Sequence, residues 1–280
     1  MKILVTGCHG QLGRAINKEY AGNTNVELVN TDVAELDITS IDKVMNMIKE
    51  VKPSAIINCA AHTGVDACET DLDNAYKINA IGPRNLAIAA REVGAKLVQV
   101  STDYVFAGDG DKPYTEFDRP NPQGAYGKTK YEGERFVEQF GKDYFTIRTA
   151  WLYGDGNNFA KTMLRLSETK DTVRVVGDQF GTPTTASELA KMIVHLLPTD
   201  NYGLFHGTCE GMCSWADFAK EVFTLAGKDT KVEAITTAEY PTPAVRPAYS
   251  VLDNYMLTLT SDYKLKHWKE AAKEYMANLV

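Results

Sequence analysis

The 280-residue sequence lacks both an excess of basic charge and any long apolar run. It has 30 Lys and Arg against 37 Asp and Glu, a formal net charge of −7, and no basic cluster that could follow a nucleic-acid backbone. No apolar run approaches the ~20 residues of a membrane span, and residues 1–7 lack the apolar region and cleavage site of a secretory signal. We therefore expect a soluble cytoplasmic protein that binds neither nucleic acid nor membrane.

Cysteine is also scarce, and its positions show no paired spacing. Cys8, Cys59, Cys68, Cys209 and Cys213 form an odd set without CxxC clusters, so the sequence predicts neither a disulfide framework nor a zinc site. No His or third Cys stands at ligand spacing around the last two, which we expect to be buried thiols. We expect no metal cofactor.

What the sequence does contain is an alternation of short apolar runs with amphipathic stretches. The predicted strands lie at 3–6, 26–29, 55–58, 96–101 and 144–148, and the predicted helices lie near 11–21, 40–51, 74–93 and 126–140. Strands that are apolar on both faces and separated by helices favour a parallel sheet covered on both sides. This is the doubly wound α/β pattern.

Beyond residue 150 the alternation loosens. A strand is predicted at 173–176, with helices near 186–197, 215–226 and 264–279 and a Pro-rich stretch at 241–247. We expect a doubly wound domain over residues 1–150 and a smaller substrate-binding lobe over 151–280. Segments near 172–200 are expected to return to the first domain.

The first predicted strand runs into a glycine-rich loop, TGCHGQLG, and then into a helix. Such a turn aims free N–H groups and the positive end of a helix dipole at its ligand, which suits a pyrophosphate. Gly7 permits the tight turn, Gly10 removes a Cβ where phosphate approaches, and Gly13 lets the helix pack closely on the strand. Although the spacing is GxxGxxG rather than GxGxxG, its placement predicts a dinucleotide-binding Rossmann domain.

An acidic residue ~20 positions after such a loop binds the ribose hydroxyls of NAD. Asp32 follows the second predicted strand at about that distance, although an Asp in a turn is often only a cap. No Arg or Lys lies between Lys18 and Lys43 to accept the 2′-phosphate of NADP. We expect NADH to be preferred over NADPH.

A tyrosine and a lysine stand four residues apart in the predicted helix AYGKTKYEGER. Residues i and i+4 share a helix face, so the ammonium of Lys130 can lie near the phenol of Tyr126, lower its pKa and make it a usable acid. YxxxK also occurs by chance on solvated helices. Support comes from Thr102, with Ser101 as the alternative, because a hydroxyl at a strand end can hydrogen-bond a substrate carbonyl.

These features together resemble the extended short-chain dehydrogenase/reductase family. The resemblance rests on TGxxGxxG at 6–13, the strand-end threonine and YxxxK, and it extends through NCAAHTGVDACE (58–69), STDYVFAG (101–108), RTAWLYGDGNNFAKTML (148–164) and YPTPAVRPAYSVL (240–252). It is greatest to those members that reduce the C4 keto group of a dTDP-linked 4-keto-6-deoxy sugar with NADH or NADPH. That activity, a Rossmann domain and a C-terminal substrate-binding lobe are what the resemblance implies.

The resemblance also implies roles for particular residues. Tyr126 would protonate the C4 oxygen, Lys130 would lower the phenol's pKa and bind the nicotinamide ribose, and Thr102 would polarise the keto group. Residues expected at the dinucleotide are Gly7, Gly10, Gln11, Leu12, Gly13, Asp32, Asp37, Ile38, Ala60, Ala61, His62, Thr63, Tyr126 and Lys130. Residues expected at the nucleotide-sugar are Thr102, Asp103, Trp151, Asn158 and Arg246. Trp151 could instead belong to the core, and Arg246 could be a surface charge.

One departure from the family pattern and three alternative functions accompany the resemblance. Some family members pair through a magnesium ion held by glutamates, but Ala15 and Ser187 stand at those positions, so we expect a monomer or a weak homodimer. A 4,6-dehydratase would place Asp-Glu after the threonine, whereas Asp103-Tyr104 follows Thr102 here. An epimerase, or a regulatory subunit that binds a dinucleotide without catalysis, is not excluded by these residues.

Overall fold

A parallel six-stranded sheet organises the molecule, and its strands lie side by side in the order Glu27–Thr31, Lys2–Thr6, Ala55–Asn58, Lys96–Thr102, Tyr144–Thr149 and Gly203–His206. The computed structural model describes residues 1–279. The strands are β1 (Lys2–Thr6), β2 (Glu27–Thr31), β3 (Ala55–Asn58), β4 (Lys96–Thr102), β5 (Tyr144–Thr149), β6 (Leu152–Tyr153), β7 (Thr172–Val176), β8 (Phe180–Gly181), β9 (Thr184–Thr185), β10 (Gly203–His206), β11 (Cys213–Ser214) and β12 (Lys231–Ile235). All five strands predicted for the first domain are confirmed, and their pairing is parallel throughout.

Helices cover both faces of the sheet, as the doubly wound pattern predicts. The α-helices are α1 (Gln11–Glu19), α2 (Ile41–Val51), α3 (Val65–Thr70), α4 (Leu72–Tyr76), α5 (Gly82–Val93), α6 (Ala125–Phe140), α7 (Phe159–Ser167), α8 (Ala186–Leu196), α9 (Trp215–Leu225), α10 (Tyr255–Thr260) and α11 (Trp268–Ala277). The helix predicted at 74–93 is interrupted by a π-helical segment, Lys77–Ile81. No helix within residues 1–279 is both long and apolar enough to cross a membrane.

The sheet has one core on each face because its inner strands are apolar on both sides. Every residue of β3 is buried, and β1 is buried from Ile3 to Thr6. On one face the strands pack under α1 and α8, and on the other under α2 and α5. A third cluster around Phe218 and Trp268 forms the core of the second lobe.

The segments near 172–200, predicted to return to the first domain, divide between the two lobes. α8 packs against α1 and shares its core. β7, in contrast, pairs with β12 inside the second lobe. The chain then returns in β10, which adds the sixth strand beside β5 and was not predicted. The short GLFH run of β10 lacks the long β-branched pattern that marked the other strands.

Candidate active site

The glycine loop has the geometry that its sequence predicted. Gly7 adopts a left-handed conformation with φ +62°, and a Cβ there would lie 2.7 Å from the Ala60 nitrogen. A Cβ on Gly13 would lie 2.4 Å from the Gly7 carbonyl oxygen, so only glycine allows α1 to approach the loop this closely. Gly10 begins α1 without a side-chain cap, which leaves the first N–H groups of the helix available to a ligand.

A cleft of about 550 Å³ opens at the carboxyl ends of the strands, next to this loop. The strand order reverses between β1 and β3, and ligands of doubly wound sheets bind at such a switch point. Predicted site residues that line the cleft are Gly10, Gln11, Leu12, Ala60, Ala61, Thr63, Thr102, Asp103, Tyr126, Lys130, Trp151 and Arg246. The structure therefore brings the predicted catalytic residues together with most of the predicted binding residues.

Side-chain hydrogen bonds across three strands shape the floor of the cleft. The hydroxyl of Thr6 donates to Asn58 Oδ1 at 2.6 Å, and Asn58 Nδ2 donates to Gln99 Oε1 at 2.7 Å. Asn58 Oδ1 also accepts from the Ala60 N–H. This buried network connects the segment after β3 to the glycine loop and to β4. It was not predicted from the sequence.

Tyr126 lies in the first turn of α6, over the end of β4. Burial and the nearby carboxylate of Asp103 raise the pKa of its phenol, while the neighbouring Thr102 side chain opposes that rise. The phenol therefore carries its proton at neutral pH, as a proton donor must. The Thr102 hydroxyl donates to Asp103 Oδ1 at 2.8 Å, which differs from its predicted donation toward a substrate carbonyl.

Lys130 occupies the position predicted from YxxxK, but its ammonium has a different partner. Nζ donates to the Val100 carbonyl oxygen at 2.6 Å, and the side chain is 3 % exposed. Burial lowers the pKa of Lys130 to about 8. Lys130 is not among the groups that shift the pKa of Tyr126 in this arrangement, and its predicted effect on the phenol stays a prediction.

Arg246 reaches the cleft from residues 240–250, a Pro-rich segment that we call the strap. Its guanidinium donates to Asp66 Oδ2 at 2.6 Å and to the Tyr104 hydroxyl at 3.2 Å. Asp66 Oδ1 also accepts from the Ala244 N–H, so α3 and the strap are joined by two hydrogen-bonded contacts. Tyr104 in turn contacts the Tyr126 ring edge to face, with 5.5 Å between centroids. Arg246 is thus a cleft residue rather than an isolated surface charge.

Trp151 lines the cleft with a constrained backbone and a stacked partner. Its φ is +47°, an uncommon value for a non-glycine residue. The indole stacks on Trp215 with 3.5 Å between centroids, and a Cβ on Gly181 would lie 2.4 Å from it. Both indoles line the cleft, so Trp151 belongs to the cleft wall and to the core of the second lobe at once.

Asn158 does not line the cleft, in contrast to its predicted role at the sugar. Its Oδ1 caps α7 by accepting from the Lys161 N–H, and its Nδ2 donates to the Gly154 carbonyl and the Tyr275 hydroxyl. The Gly154 N–H donates to Gln11 Oε1 at 2.7 Å. Asn158 therefore holds the loop of residues 154–158 against the start of α1.

The predicted adenosine residues lie beside the glycine loop rather than in the cleft. Asp32 follows β2, and its Oδ2 accepts from the His9 N–H at 3.2 Å. Asp37 accepts hydrogen bonds from the N–H and the hydroxyl of Thr39, which lower its pKa. Ile38 is buried under Gly82, where a Cβ would come within 2.5 Å of it.

His62, predicted at the middle of the dinucleotide, is fixed through its main chain. Its N–H donates to Asn79 Oδ1 at 2.8 Å, and its carbonyl accepts from Asn79 Nδ2. Its ring Nδ1 lies 3.5 Å from the Cys68 thiol. Asn79 itself lies in the π-helical segment, which the sequence pattern had not indicated.

Ala15 and Ser187 line a second cleft, of about 500 Å³, between α1, α8 and α11. Ser187 donates to Glu19 Oε1 at 3.3 Å across it. In the part of the chain that the structure describes, the one group of three potential metal ligands is Cys8, His9 and Asp32, beside the glycine loop. Burial and the nearby acidic groups raise the pKa of the Cys8 thiol, which disfavours the thiolate that a metal requires.

Sequence reasoning missed three contributors to the cleft: Asp66, Tyr104 and Trp215. Each of them contacts a predicted residue that lies far away in the chain: Asp66 and Tyr104 contact Arg246, and Trp215 stacks on Trp151. The available signals were Asp66 in the quoted motif at 58–69 and Tyr104 in STDYVFAG. Nothing in the sequence around Trp215 distinguishes it from a core aromatic residue.

The Rossmann sheet, the glycine loop and the tyrosine, lysine and threonine at its edge define the class. The chain is an oxidoreductase of the extended short-chain dehydrogenase/reductase type.

Comparisons with known proteins narrow the class to one family. The family model described as RmlD substrate binding domain matches residues 1–280. A dTDP-4-dehydrorhamnose reductase of Aggregatibacter actinomycetemcomitans is 40% identical over 99% of this chain and 98% of its own length. The chain belongs to this family, that of the dTDP-4-dehydrorhamnose reductases.

Two solved structures show how close the likeness is. A dTDP-4-dehydrorhamnose reductase from Clostridium acetobutylicum is 57% identical, covers 100% of this chain and 99% of its own, and superposes with a TM-score of 0.98. A Bacillus anthracis dTDP-4-dehydrorhamnose reductase in complex with NADP is 42% identical, with 99% of each chain covered and a TM-score of 0.96.

Proposed function

We propose that the protein reduces the C4 keto group of dTDP-4-dehydro-6-deoxy-L-mannose to give dTDP-L-rhamnose, with NADH or NADPH as reductant. One observation carries the proposal: Thr102, Tyr126 and Lys130 meet the glycine loop in a single cleft. The names of the similar reductases supply the substrate. An epimerase or a non-catalytic subunit has no comparable support.

The cleft suits a nicotinamide dinucleotide on its own geometry. The uncapped first turn of α1 offers N–H groups to a pyrophosphate, and Gly10 places no side chain beside it. Deeper in the cleft, the buried hydroxyls of Ser101 and Thr149 have no hydrogen-bond partner among residues 1–279. Unpaired buried polar atoms are costly, so these hydroxyls favour a polar ligand in the space beside them.

A reduced nicotinamide, when bound, supplies the hydride that reduces C4. Tyr126 donates its phenolic proton to the C4 oxygen, so that carbonyl, hydride and proton together give the alcohol. Lys130 lines the same cleft as Tyr126, and its pKa of about 8 keeps it positively charged at neutral pH, so we assign to it the stabilisation of the phenolate. Its bond to the Val100 carbonyl holds that charge at a fixed place in the cleft.

The second lobe and the strap are proposed to recognise the nucleotide-sugar. Arg246 offers a guanidinium whose geometry suits a diphosphate, and Asp66 and Tyr104 hold it at the cleft. The stacked indoles of Trp151 and Trp215 offer an apolar wall for the sugar. Asp103, buried beside Tyr126, completes this side of the cleft.

Coenzyme preference is a finer proposal than the activity itself. Asp32 stands where ribose hydroxyls are bound, and its carboxylate disfavours a 2′-phosphate, which supports NADH. The NADP complex of the Bacillus anthracis reductase supports NADPH as a second substrate. A cytoplasmic location and a monomer or weak homodimer stay predictions from the sequence.

Absorbance of the reduced nicotinamide tests the proposal. The protein is mixed with dTDP-6-deoxy-L-lyxo-4-hexulose and either NADH or NADPH, and we expect oxidation that depends on the sugar, with the faster coenzyme being NADH. Reactions without the sugar are the control. Coenzyme binding without any oxidation of either coenzyme would contradict the proposed reaction.

A further inference from the structure

The Thr102 hydroxyl stands between two groups that can carry a proton. It donates to Asp103 Oδ1 at 2.8 Å and accepts from the Tyr104 N–H at 3.2 Å, and it lies near enough to the Tyr126 phenol to lower the pKa of that group. A hydroxyl has one proton to donate and two lone pairs that accept. These two hydrogen bonds therefore leave one lone pair of Thr102 available to the phenol.

The hydrogen bonds around Thr102 can donate their protons in either of two directions along the line from Asp103 to Tyr126. When Asp103 is ionised, Thr102 donates to the carboxylate and can accept from the phenol. When Asp103 is protonated and Tyr126 is a phenolate, each bond reverses: the carboxylic acid donates to Thr102, and Thr102 donates to the phenolate. The Tyr104 N–H holds the oxygen in both cases, because its bond does not change direction.

Asp103 is suited to carry a proton rather than a permanent charge. The residue is 2 % exposed, and within the described residues 1–279 no Lys or Arg pairs with its carboxylate and Oδ2 makes no hydrogen bond. The hydroxyl of Ser250, which approaches the carboxylate, donates to the Phe180 carbonyl at 3.5 Å. Burial raises the pKa of Asp103 to about 6, so its protonated form is present near neutral pH.

We propose that Asp103 re-protonates Tyr126 through the Thr102 hydroxyl after each turnover. The inference rests on the proposed function, in which Tyr126 gives its proton to the C4 oxygen. Asp103 then transfers its proton to Thr102 Oγ1 while the original Thr102 proton moves to the phenolate. Asp103 is left as a carboxylate and regains a proton from water in the cleft, which it lines.

Few other ionisable groups face the proton path from Asp103 through Thr102 to Tyr126. Tyr104 follows Asp103 in the chain, and Arg246 and Asp66 lie behind the Tyr104 hydroxyl. From α6, Tyr126 and Lys130 face it, and Lys130 donates to the Val100 carbonyl rather than to the relay. The strap contributes Ser250, which does not ionise. Asp103 is therefore the acid of this group that adjoins Thr102 directly.

Rapid mixing of the Asp103→Asn variant tests the relay. Asparagine keeps an acceptor for Thr102 but has no transferable proton, whereas Tyr126 begins protonated. We expect the first turnover to approach the wild-type rate and later ones to be slower by at least about tenfold, a burst of one oxidised coenzyme per site. Asp109→Asn, an exposed neighbour, is the matched control and should behave as wild type.

Each other result has a definite meaning. Unchanged steady-state turnover in Asp103→Asn overturns the relay, and so does loss of the first turnover together with a raised KM, which would make Asp103 a sugar-binding residue. If the wild-type protein itself does not turn over, the proposed function fails rather than the relay.

Thermal unfolding provides a readout independent of activity. Because the pKa of Asp103 is higher in the folded protein than in the unfolded chain, its ionisation opposes folding as pH rises from about 4 through about 6. We expect the Tm of Asp103→Asn to rise relative to wild type between about pH 4 and pH 7. A difference in Tm between variant and wild type that does not change with pH would show that Asp103 holds no proton in this pH range, and it would overturn the relay.

Discussion

The two sides of the cleft are held in different ways. On the side of the reaction, close main-chain packing places Tyr126 and Lys130: a Cβ on Gly127 would lie 2.1 Å from the Tyr104 carbonyl oxygen, and one on Gly133 would lie 2.2 Å from that of Asn79. On the opposite side, Arg246 is held by side chains, in a pair with Asp66 that is partly exposed. The positions of the catalytic residues therefore depend on close backbone packing, whereas the position of the residue proposed for substrate recognition depends on contacts between side chains.

The comparison predicts its largest effect for Tyr126→Phe. Removing the hydroxyl removes the acid and leaves the packing of α6 unchanged, so turnover should fall by about 10²–10⁴-fold while coenzyme affinity stays within about twofold. Steady-state kinetics measure the turnover, and fluorescence titration measures the affinity for the coenzyme. Tyr76→Phe, on an exposed surface, is the control. A variant with wild-type turnover would remove Tyr126 from the chemistry.

A smaller loss is expected for Lys130→Ala. The variant loses the buried charge and leaves the Val100 carbonyl without its partner, so kcat should fall by about a hundredfold and coenzyme affinity should weaken as well. Lys128→Ala, on the exposed face of the same helix, should have no effect. A loss confined to thermal stability would show that Lys130 only supports α6.

Arg246→Ala should weaken recognition of the nucleotide-sugar and leave the chemical step almost unchanged. Loss of the guanidinium removes a charged hydrogen-bond donor for the diphosphate, so KM for the nucleotide-sugar should rise about 10–100-fold with kcat within about threefold. Arg119→Ala, an exposed arginine outside the cleft, is the matched control. If kcat falls and KM does not, the proposed division between the two sides of the cleft is wrong.

Asp32→Ala should give the smallest effect, and one that depends on the coenzyme. Its carboxylate is proposed to bind ribose hydroxyls, so Kd for NADH should rise by about tenfold and Kd for NADPH by less. Titration of both coenzymes against wild type and variant measures this. Equal losses for both would remove the argument for NADH preference.

The parts of this protein that sequence predicted are those determined by local pattern. Strand and helix alternation specified the sheet because each inner strand is buried on both faces, and Gly7 and Gly13 occupy positions where a Cβ does not fit. YxxxK placed Tyr126 and Lys130 on one helix face, and the structure confirms that they share the cleft.

The parts that sequence did not predict depend on contacts between distant segments. No local pattern indicated that Lys130 Nζ would donate to the Val100 carbonyl, thirty residues away in the chain. Asn158, assigned to the sugar, donates through Nδ2 to the hydroxyl of Tyr275, 117 residues further on, while its Oδ1 caps α7. No local pattern specifies which carbonyl or hydroxyl such a side chain meets after folding.

The most direct test of the central claim follows the hydride itself. The protein is incubated with dTDP-6-deoxy-L-lyxo-4-hexulose and NADPH or NADH carrying deuterium at the transferable position of the nicotinamide, and the product is analysed by NMR. The account predicts deuterium at C4 of dTDP-L-rhamnose. Product without deuterium at C4, or deuterium at any other sugar carbon, would contradict it.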